Sequence, residues 1–166
     1  MPLPSRPVAN TTIDSEWGQA VHDWTFAPAG AHVRNSGTVT KNSTPGILPL
    51  TEAVDDPGGW LDAANNQVIV PADKGGLYLV VLVIDSVNGT AGDGTRAFIS
   101  LNGGLINRAL EDSEGGTHIK VTVVALLPLT PGDILQGWCA RKGSGTAPTV
   151  YIDHYQFVRL GNEYGA

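Results

Sequence analysis

A chain of 166 residues is long enough to bury a core of its own, and its single cysteine, Cys139, rules out an intrachain disulfide. Ten Lys and Arg against sixteen Asp and Glu, with no basic run, give a phosphate backbone nothing to bind, so nucleic acid is not an expected partner. No apolar run nears the roughly 20 residues that cross a bilayer, and "MPLPSRPVANTT" lacks the apolar centre of a secretory signal, so the reading is a soluble protein made in a cytoplasm without membrane insertion.

Residues 1–29 differ in character from the rest. Three prolines in "MPLPSRPVAN" predict an extended arm. In the following "TTIDSEWGQAVHDWTFAP", Thr12 or Asp14 can accept from free amides at a helix start, and Pro28 supplies a stop. Ile13, Trp17, Val21 and Trp24 recur at helical spacing and put two indoles on one side of a short helix. A helix of about three turns does not stabilise itself in water, so this stripe is expected to pack on something, as an anchor to a partner or within its own assembly.

From residue 30 to 166 the pattern is strand and turn. Strands are expected at 31–41, 46–54, 66–71, 76–86, 95–102, 104–110, 117–127, 133–141 and 149–160. Turn chemistry separates them: "VDDPGG", "ADKGG", "NGTAGDG", "NGG", "SEGG", "TPGD" and "KGSGTAP". The "NGG" between "RAFISL" and "LINRAL" is the strongest hairpin signal. Short strands at regular spacing, with no helical period between them, indicate an all-β antiparallel sandwich or jelly roll.

One strand does not alternate. Gly76 to Ile84 are nine consecutive non-polar positions. Successive side chains on a strand point to opposite faces, so one set, either Leu77, Leu79, Val81 and Val83 or Tyr78, Val80, Leu82 and Ile84, fills the space between two sheets. The other set would be bare in a monomer. At about 1.5 to 3 kcal/mol per fully buried side chain, it calls for a second protein surface.

The β region resembles the complement C1q and tumour-necrosis-factor family of jelly rolls. "VPADKGGLYLVVLVID", with Pro71, Gly76 and Tyr78, is similar to the segment that opens a central strand of that fold. "AFISLNGG", "KVTVVALLPLTPGDIL" and the closing "VYIDHYQFVRL" follow in the family's order, over about residues 30 to 160. The leader, an extended start followed by "TTIDSEWGQAVHDWTF", resembles that of bacteriophage virion proteins, often called minor tail proteins, that carry such a domain. The resemblance implies a homotrimeric, non-enzymatic virion component on the tail or the capsid surface, bound to other virion proteins through its leader. A collagen-like Gly-X-Y repeat is missing, so immune or hormone-like roles are not carried over.

Few residues suggest other chemistry. His22, His32, His118 and His154 are far apart in sequence and form no ligand spacing, and Asp153 and His154, adjacent on a strand, are expected on opposite sides. Cys139 on a strand reads as a small buried hydrophobe, and Ser144 in "GSG" as a turn residue. No cofactor is expected. Asp55, Asp56 and Asp62, with Asp93, are weak candidates for calcium, which some jelly rolls of this type bind, against their ordinary use in turns. Two competing readings follow: a receptor- or glycan-binding module of the tail presenting Trp138, Tyr151 or Tyr155, and a wall hydrolase using Glu111 and Asp112, which with Glu114 otherwise read as a solvated acidic turn. The loops at 88–94, 111–116 and 142–148 are expected at the outer surface.

Overall fold

A computed structural model describes residues 30–35, 37–40, 43–87, 94–112, 118–143 and 149–161; the leader, with Ile13, Trp17, Val21 and Trp24, lies outside the described residues, as do Asp93, Glu114 and Ser144. The described chain runs β1 (Gly30–Arg34), β2 (Val39–Thr40), β3 (Gly46–Ile47), β4 (Glu52–Asp55), β5 (Leu61–Asp62), a 3₁₀ turn at Ala63–Asn65, and β6 (Gln67–Ile69). Then come β7 (Gly76–Val87), β8 (Gly94–Leu101), β9 (Gly104–Asp112), β10 (His118–Leu129), β11 (Ile134–Lys142) and β12 (Thr149–Gly161).

Two antiparallel sheets form a jelly-roll sandwich. One has the order β10-β7-β12-β1-β4, with β2 also on β12; the other has the order β5-β6-β11-β8-β9, with β3 also on β11. The six long strands, β7 to β12, fall between the turn sequences, as expected. Two expected strands are each divided. In 31–41, the Asn35 side chain accepts from the Gly37 amide at 2.9 Å and donates to the Gly37 carbonyl, a local loop that interrupts the ladder. In 46–54, β3 pairs with β11 while β4 pairs with β1, so the chain crosses between sheets at Leu48-Pro49-Leu50. Pro49 has no N–H to continue a ladder, and both flanking leucines are wholly buried.

The core is the space between the sheets. Tyr78, Val80, Leu82 and Ile84 are all at 0 % exposure there, facing Leu135 and Cys139 of β11 and joined by Ile152, Tyr155 and Phe157 of β12. Gly137 sits between two of these side chains: a Cβ on it would lie 3.1 Å from Ile152 Cδ1 and 3.2 Å from Leu82 Cδ1. One end is closed by an aromatic cluster in which Trp60 meets Tyr78 edge-on at 5.4 Å and Phe157 at 6.0 Å between ring centres. The hairpin signal is realised as a two-residue turn, Asn102 and Gly103 both having positive φ, with Leu101 opposite Gly104. Asn102 also donates to Asp133 at 2.8 Å and accepts from the Ile134 amide, which ties this hairpin to the "TPGD" turn.

Candidate assembly face

Strand alternation divides β7 cleanly. With Tyr78, Val80, Leu82 and Ile84 in the core, Leu77, Leu79, Val81 and Val83 point away from the sandwich and stay partly exposed. Register extends this into a surface. Leu79 lies beside Leu126 of β10 and Val158 of β12; Val81 lies beside Val124 and Gln156; Val83 lies beside Thr122 and His154. Leu126 and Leu160 are each 56 % exposed, Val124 is 49 % and Val158 is 41 %. The apolar area continues around the flank, where Asn107 of β9 donates to the Val124 carbonyl across the gap between sheets, and Leu105 and Ile106 are exposed.

The same face turns polar towards the other end of the strands. Beyond Val83 come Asp85, Lys120, Tyr151, Asp153, His154, His32, Arg34 and Glu52, placed by four strands besides the central β7. Tyr151 donates to Asp85 at 2.8 Å, a bond that, with burial added, raises the phenol above its ordinary range. Lys120 donates to Asp153 at 2.5 Å, which lowers that carboxyl and raises the ammonium. Arg34 grips Glu52 with two bonds of 2.9 and 2.8 Å. His32 Nε2 lies 2.8 Å from His154 Nδ1, with ring centres 5.0 Å apart. Burial first, then the His154 imidazole and the Arg34 guanidinium, hold His32 below its ordinary value near 6.5, against the pull of Asp55 and Asp153.

This cluster departs from the sequence expectation in two ways. Histidines 122 residues apart meet, because β1 and β12 are neighbours in the sheet with His32 opposite Gln156. Asp153 and His154 also share one side, with Asp153 Oδ2 3.6 Å from His154 Nε2. The cause is a β-bulge: pairing with β7 shifts between Ile152 and His154, so both residues lie between the inward-facing Ile152 and Tyr155. The alternation rule fails there because two residues of β12 oppose one of β7.

The aspartates considered for calcium do not come together. Asp56 accepts from the Trp60 and Leu61 amides at 2.7 and 2.9 Å and shapes the "DDPGG" turn. Asp62 caps the 3₁₀ turn through Asn65 and also accepts from Gln67, bonds that lower its carboxyl although burial opposes them. Asp55 lies on β4 across from His32. Among the described residues, no group of three His, Cys, Asp or Glu could hold a metal ion. The aromatic residues considered for a glycan are scattered as well. Tyr155 is wholly buried, and burial raises its phenol; Tyr151 belongs to the polar row; Trp138 is on the outward face of the other sheet, opposite Phe98. Cys139 is buried in the core. A shallow depression of about 250 Å³ lies beside His32, lined by Gly30, Asp55, Gln156 and Val158 among others.

No protein-family model matches the chain. No curated protein is similar enough in sequence to be matched. Solved structures do match. The globular domain of zebrafish complement 1qA superposes with a TM-score of 0.59 at 11 % identity, over 82 % of this chain and 99 % of that one. Eiger TNF from S. frugiperda gives 0.54 at 13 % identity, over 83 % and 96 %. Murine APRIL at pH 5.0 gives 0.52 at 14 % identity, over 75 % and 98 %. At such identities the likeness is one of fold: the domain is a C1q/TNF-like jelly roll.

Proposed function

We propose that the protein is a non-enzymatic structural component of a bacteriophage particle, a homotrimer attached to the tail or the capsid surface through residues 1–29. The observation that carries the trimer is the apolar half of the β10-β7-β12-β1-β4 face, which continues onto the β9–β10 flank of the same protomer. A flank of one copy set on the face of the next makes a head-to-tail contact, and such contacts are completed only by closing into a ring. Four side chains between 41 and 56 % exposed, with Leu77, Leu79, Val81 and Val83 between and beside them, give each contact an apolar centre. The C1q/TNF-like fold supports three as the number of copies, and the resemblance of the leader supports a virion as the setting.

Two measurements separate the parts of this reading. Light scattering on the full chain should give three times the 17.4 kDa protomer mass at micromolar concentration, and Leu79→Asp should reduce it to one while leaving the circular dichroism of the folded chain intact. A single-protomer mass for the unaltered chain contradicts the trimer. Deleting residues 2–28 should leave the trimer and abolish its attachment to purified particles; retained attachment puts the anchor elsewhere.

A further inference from the structure

We propose that the His32–His154 pair is a proton-operated latch in the assembly face, closed while the two imidazoles share a hydrogen bond and opened when both are charged. The inference rests on the homotrimer reading, because a latch needs a contact to release. A bond of 2.8 Å between ring nitrogens requires one to donate and the other to accept, so the pair can carry at most one proton beyond neutrality while it lasts. A second proton makes both nitrogens donors and sets two cations face to face.

The surroundings oppose charging both rings. From β12, Asp153 lies 3.6 Å from His154 but is already bonded to Lys120 of β10; from β4, Asp55 lies across from His32, while Glu52 is taken up by Arg34. From β7, Asp85 accepts the hydroxyl of Tyr151. Arg34 on β1 itself adds positive charge beside the pair. Of the carboxylates nearest the pair, Asp153 is thus already shared with the Lys120 ammonium. In a free protomer the His154 side chain is 46 % exposed, so water can solvate a doubly charged pair and the rings can turn apart. In a face covered by a neighbouring copy they can do neither. Proton uptake therefore accompanies release of the contact, and acid drives it.

The experiment is the mass of the full chain by light scattering from pH 7.5 to 5.0, alongside His32→Gln, with far-ultraviolet circular dichroism as a monitor of the fold. Taking up one proton per subunit on release gives roughly three decades in the trimer dissociation constant per pH unit below about 6.5. The unaltered chain should follow that trend, His32→Gln should hold its mass to pH 5.0, and the circular dichroism should not change. A protomer mass already at pH 7.5 overturns the trimer and the latch with it. A trimer at pH 7.5 that is unaffected at pH 5.0, or a His32→Gln trimer that dissociates along the same curve, overturns the latch and leaves the trimer standing. Mass loss that coincides with loss of the circular dichroism also overturns it, since general acid unfolding is then the cause. Within the trimer, a His32 ring resonance titrating at or above its ordinary value is a further contrary result.

Discussion

Leu82 and Leu79 are three positions apart on β7, and their environments are opposite: Leu82 is at 0 % exposure in the core, and Leu79 is on the outward face. Leu82→Ala should therefore cost about 2–5 kcal/mol in denaturant unfolding, whatever the protein concentration, by leaving a cavity against Gly137. Asp133 makes a different kind of contribution. Burial opposes its charge, but donation from the Thr130 amide at 2.7 Å and from the Asn102 side chain outweighs burial and holds the carboxyl below its ordinary 3.8. The sign follows from a native value below the unfolded one: the stabilisation is present above pH 3.8 and is lost as the pH falls below it. Asp133→Ala should cost about 1–2 kcal/mol at pH 7 through the lost bonds, and the gap to the unaltered chain should narrow in acid. A constant gap from pH 7 to 2.5 would assign the effect to packing instead. At this scale the sequence revealed that one β7 set is core, because alternation is a local rule. It did not reveal the histidine cluster, because a bulge at Asp153 and a 122-residue closure create it.

Turns are the elements that local chemistry determines most directly. The β8–β9 turn needs positive φ at Asn102 and at Gly103, where φ is +82°, and asparagine followed by glycine is the pair that tolerates it. No atom lies within 4 Å of a Cβ built on Gly103, so Gly103→Ala should lose about 1–2 kcal/mol purely through backbone strain. Gly104→Ala is the control, since its Cβ would sit in ordinary contact, 3.5 Å from the Leu101 carbonyl, without a positive φ. Equal losses in the two variants would mean that contact rather than conformation decides. The long strands were legible for the same local reason, the turn residues that bound them. The divisions of 31–41 and 46–54 were not: one depends on an Asn35 side chain competing with the ladder, the other on a crossing between sheets at Pro49 that brings two leucines into the core. Both segments look like one continuous strand until their partners are known.

For the whole molecule, the outward face links stability to association. If three copies cover Leu79, Val81, Leu126, Val158 and Leu160, the native state is the trimer and the unfolded state is three chains, so unfolding depends on concentration. A tenfold rise in protomer concentration adds twice RT ln 10 per trimer, about 0.9 kcal/mol per protomer, and should raise the melting temperature by a few degrees for a domain of this size. Val158→Asp, on the exposed side of β12, should abolish this dependence and leave a folded protomer melting at a fixed, lower temperature. Leu82→Ala should lower the midpoint yet keep its concentration dependence, because it weakens the core and leaves the contact surface alone. A midpoint that does not move over a hundredfold range of concentration would show that the apolar face is bare in solution. At about 1.5 to 3 kcal/mol for each fully buried side chain of this type, that outcome would leave the extent of the patch without a physical reason.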